Sequence, residues 1–204
     1  MQQWVLDERK FLTDEEIERL KRNCRTAKEK LIINLGLLAG LRVSEVKDLK
    51  CGDISLGTAT SSLTVRNGKG GKPRLVRFNG ELKESIMEYL NEKKVKGEVT
   101  GIDDPLFKSD LNQGHTRLNE CQFGQVSRRT IQRVFERVAG RAGISGHSFH
   151  HLRHTYASHL YRAGGYNLRM VQKQLGHSSI KTTQVYADVF DEDLNQAVEK
   201  LYKP

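Results

Sequence analysis

The segment beginning at Arg129 carries Arg129, Arg133, Arg137 and Arg141, a step of four that keeps guanidinium groups on one side of a helix. Ile131, Val134, Phe135 and Val138 form the opposite, apolar face. Such a helix can lie on a core and present an arginine row to phosphates. A second basic zone, Arg66, Lys69, Lys72, Arg74 and Arg77, contains no acidic residue. It centres on Asn67-Gly68-Lys69-Gly70-Gly71-Lys72. A glycine-bracketed lysine on such a turn reaches into a groove unshielded, although Gly-Lys-Gly is also an ordinary surface turn. Five histidines lie between positions 147 and 159, and His147/His151 and His150/His154 are i, i+4 pairs. That spacing suits zinc on one helical face. The Glu of a His-Glu-x-x-His box is missing, however, and no Cys or carboxylate stands nearby, so no metal is expected. The other reading makes His150 and Arg153 an i, i+3 pair facing a phosphate. Tyr186 ends the polar run Ser178 to Tyr186. By type alone it is a half-buried tyrosine, as are Tyr89, Tyr156, Tyr161, Tyr166 and Tyr202. Gly176-His177 is most simply a helix stop.

These residues need elements to position them. Thr13 followed by Glu16 is a capping box that opens a helix through about Asn23. Arg25 to Ala39 is a second helix, with Leu31, Leu35 and Leu38 at helical spacing and Gly40 at its C′ position. Ser44, Glu45, Val46 and Leu49 suggest a short third helix. Ser61 to Arg66 and Arg74 to Phe78 alternate like strands around the hairpin-type turn. Glu81 to Lys96 is helical, and most of Gly97 to Gln125 is loop. Helices resume from Ser127, then at His150 to Tyr161, Leu168 to Leu175, Ser179 to Tyr186 and Glu192 to Leu201. The expected fold class is mainly α with a small antiparallel β-sheet (α+β), in one domain without internal repeats.

Composition narrows the function. In 204 residues, Lys plus Arg number 34 and Asp plus Glu 25, a formal charge of +9. Such an excess points toward a polyanion. Hydrophobic residues make up 37 %, near the globular norm once 18 Gly are added, which disfavours disorder and collagen. The longest apolar run, Leu31 to Leu41, is interrupted by Asn34 and is about half the length a membrane-spanning helix needs. Met1 to Lys10 has no signal-peptide pattern. Cys24, Cys51 and Cys121 match neither a disulfide framework nor a zinc pattern. A cytoplasmic protein is expected.

Five boxes occur in order: Gly40-Leu41-Arg42-Val43-Ser44-Glu45, Gly68-Lys69-Gly70, His150-His151-Leu152-Arg153-His154, Leu175-Gly176-His177 and Thr182-Thr183-Gln184-Val185-Tyr186. Together they resemble the catalytic domain of the tyrosine recombinase (phage integrase) family, from about Phe11 to Val189. The resemblance implies that domain's fold and a catalytic set. Arg42 matches the first family arginine and Glu45 the acidic residue after it. Lys69 matches the β-hairpin lysine, with Lys72 as a fallback on the same turn. His150 and Arg153 match the His-x-x-Arg box, His177 the position taken by His or Trp, and Tyr186 the nucleophile. Arg66, Lys72, Arg74, Arg129, Arg133 and Arg137 are the expected DNA-contacting side chains.

The implied reaction is transesterification of a DNA phosphodiester through a 3′-phosphotyrosine, without metal, ATP or other cofactor. Arg42 and Arg153 would fork onto non-bridging oxygens. His150 would serve as base to Tyr186, and Lys69 as acid to the 5′-oxygen. Double-stranded DNA is the implied partner, met by a homo-oligomer, dimer to tetramer, which would be nucleoid-associated when bound; a monomer in solution is compatible with this. No membrane is involved. A type IB topoisomerase-like nicking-closing enzyme and a non-catalytic DNA-binding module are the alternatives.

Two departures from the family pattern stand out. The family usually has a helical DNA-binding domain of about a hundred residues ahead of the catalytic one. Here residues 1–10 form only a tail before a catalytic domain of residues 11–190, so that second clamp is expected to be absent. Phe149 stands where many relatives have Pro. Residues 191–204 form a tail helix whose Leu194, Val198 and Leu201 could fill a groove on a neighbouring protomer or pack on their own domain.

Overall fold

The computed structural model of the chain describes residues 11–67, 72–98, 101–109, 124–176 and 183. The first helix, α1 (Asp14–Arg22), starts at Thr13. The Thr13 hydroxyl accepts from Glu16 N at 3.2 Å, and Thr13 N donates to Glu16 Oε2 at 2.9 Å. The capping box legible in the sequence is therefore formed, and it satisfies two backbone donors at the helix start. α2 (Ala27–Ala39) begins two residues later than the apolar spacing suggested, because Thr26 caps it by accepting from Glu29 N at 3.1 Å. This helix is the axis of the molecule. Leu31, Ile32, Ile33, Leu35 and Ala39 are fully buried, and α4, α5 and α6 pack around it. A helix apolar on all sides belongs in the core rather than at a surface.

A short helix α3 (Val43–Asp48) and a single 3-10 turn (Cys51–Asp53) lead into a three-stranded antiparallel sheet. Its order is β1 (Ile54–Leu56), β2 (Ser61–Val65), β3 (Arg74–Phe78). The alternating segments of the sequence are β2 and β3. β1 has three residues, too few for alternation to be visible. Leu63 pairs with Val76 and Val65 with Arg74, and Leu63, Val65 and Val76 are buried. Leu75 and Arg77, on the opposite face, are exposed.

Four further helices complete the described fold: α4 (Gly80–Val95), α5 (Arg128–Arg141), α6 (Phe149–Ala163) and α7 (Leu168–Leu175). α5 buries Ile131, Val134, Phe135 and Val138, the face its spacing predicts. α6 starts one residue before the expected His150 and ends two after Tyr161. α6 and α7 share a smaller apolar cluster of Ala157, Tyr161, Val171 and Leu175. The described part of the expected loop between α4 and α5 has neither helix nor strand, but it is stitched to the chain after α3. Leu106 N donates to Leu49 O at 2.8 Å and Cys51 N to Asp104 O at 2.9 Å. The helices expected at 179–186 and 192–201 lie outside the described residues, except Thr183, which is helical and fully buried. No described helix is long and apolar enough to cross a membrane.

Candidate active site

Three helix termini and the start of β3 meet at one point. α2 ends at Gly40, in the left-handed region at φ 62°, and this turns the chain sharply toward α3. A Cβ there would lie 2.4 Å from Tyr156 Cδ1, so only glycine fits both the angle and the packing. Arg42 then occupies the N-cap of α3. Its backbone N–H donates to Glu45 Oε2 at 2.8 Å, and its Nη1 to Glu45 Oε1 at 2.7 Å. The three-residue spacing of Arg42 and Glu45 is thus a helix-capping spacing, which brings the carboxylate back onto the residue that opens the helix.

Glu45 also accepts a bidentate pair from Arg74, Nη1 to Oε1 and Nη2 to Oε2, both at 2.8 Å. Arg153, from α6, places Nη1 3.7 Å from Glu45 Oε2. The same guanidinium donates to Gly40 O at 2.5 Å and to Leu175 O at 2.9 Å. Both carbonyls belong to helix C-terminal ends, where unpaired carbonyls and the helix dipole favour a cation. Side-chain exposure is 2 % for Arg153, 4 % for Glu45, 9 % for Arg74 and 29 % for Arg42. Burial alone would push the Glu45 carboxyl up. The forked Arg74 contact, with Arg42 and Arg153, outweighs it and brings the carboxyl down to about 2.

His150 lies one helical turn ahead of Arg153. Its ring meets that of His154 edge-on, with centroids 4.5 Å apart. Partial burial, then the positive charges of Arg153, His151 and Arg42, lowers its pKa below 6.5. A histidine so placed is neutral at neutral pH and able to accept a proton. His151 Nδ1, by contrast, accepts from Ser148 N at 2.7 Å and caps α6. His147 and His151 meet edge-on at 5.1 Å, and no group of three metal-ligating side chains among the described residues is placed to hold one ion.

Residues 10–193 match the Phage integrase family. The chain belongs to the phage integrase family. Among integrase-family proteins, tyrosine recombinase XerA of Pyrococcus horikoshii is 30 % identical over 191 residues, covering 94 % of this chain and 61 % of that one. A crystal structure of XerA recombinase superposes with a TM-score of 0.73 at 27 % identity, covering 95 % of this chain and 66 % of that one. The catalytic domain of bacteriophage HP1 integrase gives 0.61 at 26 % identity, covering 94 % of each chain. The chain thus has the integrase catalytic-domain fold, and it spans about six-tenths of the length of the first relative.

The structure draws Arg42, Glu45, His150 and Arg153 of the expected integrase set together. Lys69, His177 and Tyr186 lie outside the described residues, although Gly176, described and left-handed at φ 66°, immediately precedes His177. The expected DNA-contacting side chains divide by their partners. Lys72, Arg129 and Arg133 are exposed, and Arg66 and Arg137 are exposed but face carboxylates. Arg66 Nε donates to Asp53 Oδ1 at 2.5 Å, and Arg137 lies 3.6 Å from the buried Glu29. Arg141, in the same row, bonds Asn23 O at 2.8 Å and Glu29, so the row's end clamps α5 to the chain between α1 and α2. Arg74 differs most from the sequence expectation: its guanidinium is committed to Glu45 instead of projecting from the hairpin. The signal was present in the alternation. Arg74 shares a strand face with the buried Val76, not with the exposed Leu75 and Arg77.

Proposed function

We propose that this chain is the catalytic domain of a site-specific DNA recombinase that cleaves and rejoins DNA through a 3′-phosphotyrosine on Tyr186. The observation that carries the reading is the convergence of Arg42, Arg74 and Arg153 on one buried carboxylate. Three guanidiniums against one carboxylate leave net positive charge beside the exposed part of Arg42, and an anionic phosphodiester is the complementary ligand. The family relationship to tyrosine recombinases supports the same reading.

In the proposed reaction the Tyr186 Oη–H passes its proton to His150 as the phenolic oxygen attacks phosphorus. Arg42 and Arg153, with His177, hold the non-bridging oxygens as negative charge builds, a contribution of about 3 kcal/mol per well-placed donor. The bond to the 5′-oxygen breaks, and Lys69 supplies the proton that makes it a 5′-hydroxyl. Rejoining reverses these steps with a second 5′-hydroxyl, and the phosphotyrosyl ester preserves the bond energy meanwhile. Residues 11–190 form the catalytic unit. Double-stranded DNA is the substrate, and two to four copies assemble on it, with residues 191–204 packing on a neighbour.

The test is incubation with a nicked suicide DNA substrate and with supercoiled plasmid, wild type beside Tyr186→Phe. A protein–DNA adduct in wild type alone supports the reading. An adduct that survives in Tyr186→Phe overturns the nucleophile assignment. DNA binding with no adduct in either favours the binding-module alternative. Strand exchange between two sites separates a recombinase from a nicking-closing enzyme.

A further inference from the structure

Arg74 ties together parts of the site that are far apart in sequence. Its fork holds Glu45 from β3, at 2.8 Å on both arms. Its Nε donates to Gln174 O, in the last turn of α7, at 3.3 Å. Its stem lies against Gly176: a Cβ on that glycine would sit 2.5 Å from Arg74 Cδ. Gln174 fastens the same junction a second time, because its Nε2 donates to Arg77 O on the free edge of β3 at 2.6 Å and to the Tyr156 hydroxyl at 3.0 Å. The start of β3, the Arg42–Glu45 box and the end of α7 are therefore joined through one guanidinium. β3 follows the turn that contains Lys69, and the end of α7 precedes His177.

The charges assign the guanidinium a purpose. Glu45 is buried among Arg42 at the N-cap of α3, Arg74 on β3 and Arg153 on α6. Arg42 is paired with this carboxylate at 2.7 Å, and Arg74 fills both of its oxygens at 2.8 Å. Together they hold an ion that burial would otherwise neutralise. Arg153 stands farther off, at 3.7 Å, and donates to the Gly40 and Leu175 carbonyls. Only an arginine has a planar fork that can fill both oxygens and still point Nε elsewhere.

We infer that Arg74 is a positioning residue: it holds the Glu45 carboxylate that fixes Arg42 at the start of α3, and it locks the base of the hairpin to the end of α7. The inference rests on the proposed phosphoryl-transfer reading. It differs from a DNA-contact role in its consequences, since a side chain turned inward adds nothing to groove binding.

The experiment compares wild type, Arg74→Met, Arg74→Lys and Tyr186→Phe for DNA affinity at several salt concentrations, and for single-turnover adduct formation at saturating DNA. It also follows the 13C carboxyl titration of Glu45 in folded protein. For Arg74→Met, DNA affinity and its salt dependence stay within about twofold of wild type, while the adduct rate falls about 10- to 100-fold. Arg74→Lys restores the charge but not the fork, and its rate falls between the two. Glu45, ionised throughout pH 4–6 in wild type, takes up a proton within that window in Arg74→Met. A wild-type rate in either Arg74 variant overturns the inference, as does an unmoved Glu45 titration. So does a loss of affinity and salt dependence, which would make Arg74 a DNA contact. If Arg74→Met does not fold, the rate of Arg74→Lys decides. If wild type forms no adduct, the recombinase reading falls, and the Glu45 titration alone decides the role of Arg74.

Discussion

Arg153 Nη1 lies 2.5 Å from the carbonyl oxygen of Gly40, 113 residues earlier in the chain. A guanidinium 2 % exposed is costly to bury, and its placement depends on the C-terminal ends of α2 and α7 and on the nearby Glu45 carboxylate. Arg153→Ala leaves those carbonyls and Glu45 with a cation missing, and it costs about 3 to 5 kcal/mol of folding stability. Gly40→Ala, forced to φ 62° against Tyr156 and Leu175, costs more than about 1 kcal/mol. Urea unfolding followed by circular dichroism measures both. A change within experimental error in either variant would sink this account of the junction.

The ion-pair cluster makes stability depend on acid. Glu45 titrates at about 2 in the folded chain against 4.5 unfolded. The unfolded state therefore binds more protons below pH ~4.5, and stability falls as pH drops from there toward 2. The whole shift is worth about 3 kcal/mol, of which about 2 kcal/mol is gone by pH 3. Urea midpoints at pH 6 and pH 3 should therefore separate more for wild type than for Glu45→Gln, and equal separations would remove Glu45 from the acid response.

His150 is held neutral by partial burial and by the cations around it, so its pKa lies below 6.5. If it is the base for Tyr186, the rate of adduct formation rises with pH through a midpoint below 6.5 and then levels. His150→Gln should slow the reaction about 100- to 10,000-fold and abolish that limb. A limb that persists in the variant assigns it to another group.

The arginine row on α5 should divide by function. Arg129 and Arg133 are exposed, and each substituted by Ala should lower the slope of log affinity against log salt by about 1 while leaving the fold intact. Arg141 bonds the Asn23 carbonyl and Glu29, so Arg141→Ala should instead lower the urea midpoint. Equal salt slopes in wild type, Arg129→Ala and Arg133→Ala would take this face away from DNA.

Local rules were enough for much of the fold. Thr13 with Glu16, Gly40 after an apolar run, and the alternation of Arg74 to Phe78 are events within a few residues, and a chain responds to them wherever they occur. The Arg42–Glu45 pair was marked by the family resemblance, and the structure shows its spacing to be that of a helix cap. The short edge strand β1 escaped because three residues carry too little pattern, and it exists only through pairing with β2.

The sequence by itself determined the helical periodicities, the α+β class, the positive charge and the five ordered boxes that mark the family. Tertiary structure alone decided which cations serve the site and which serve the fold. Arg74 and Arg129 are the same residue type in equally basic surroundings. One is buried on Glu45 at 9 % side-chain exposure and the other faces water. No local pattern pairs a guanidinium with a carboxylate 29 residues away or with a carbonyl 100 residues away. Those pairings arise when packing excludes water from a charged group, which must then take whatever opposite charge and hydrogen-bond acceptors the fold has brought within reach.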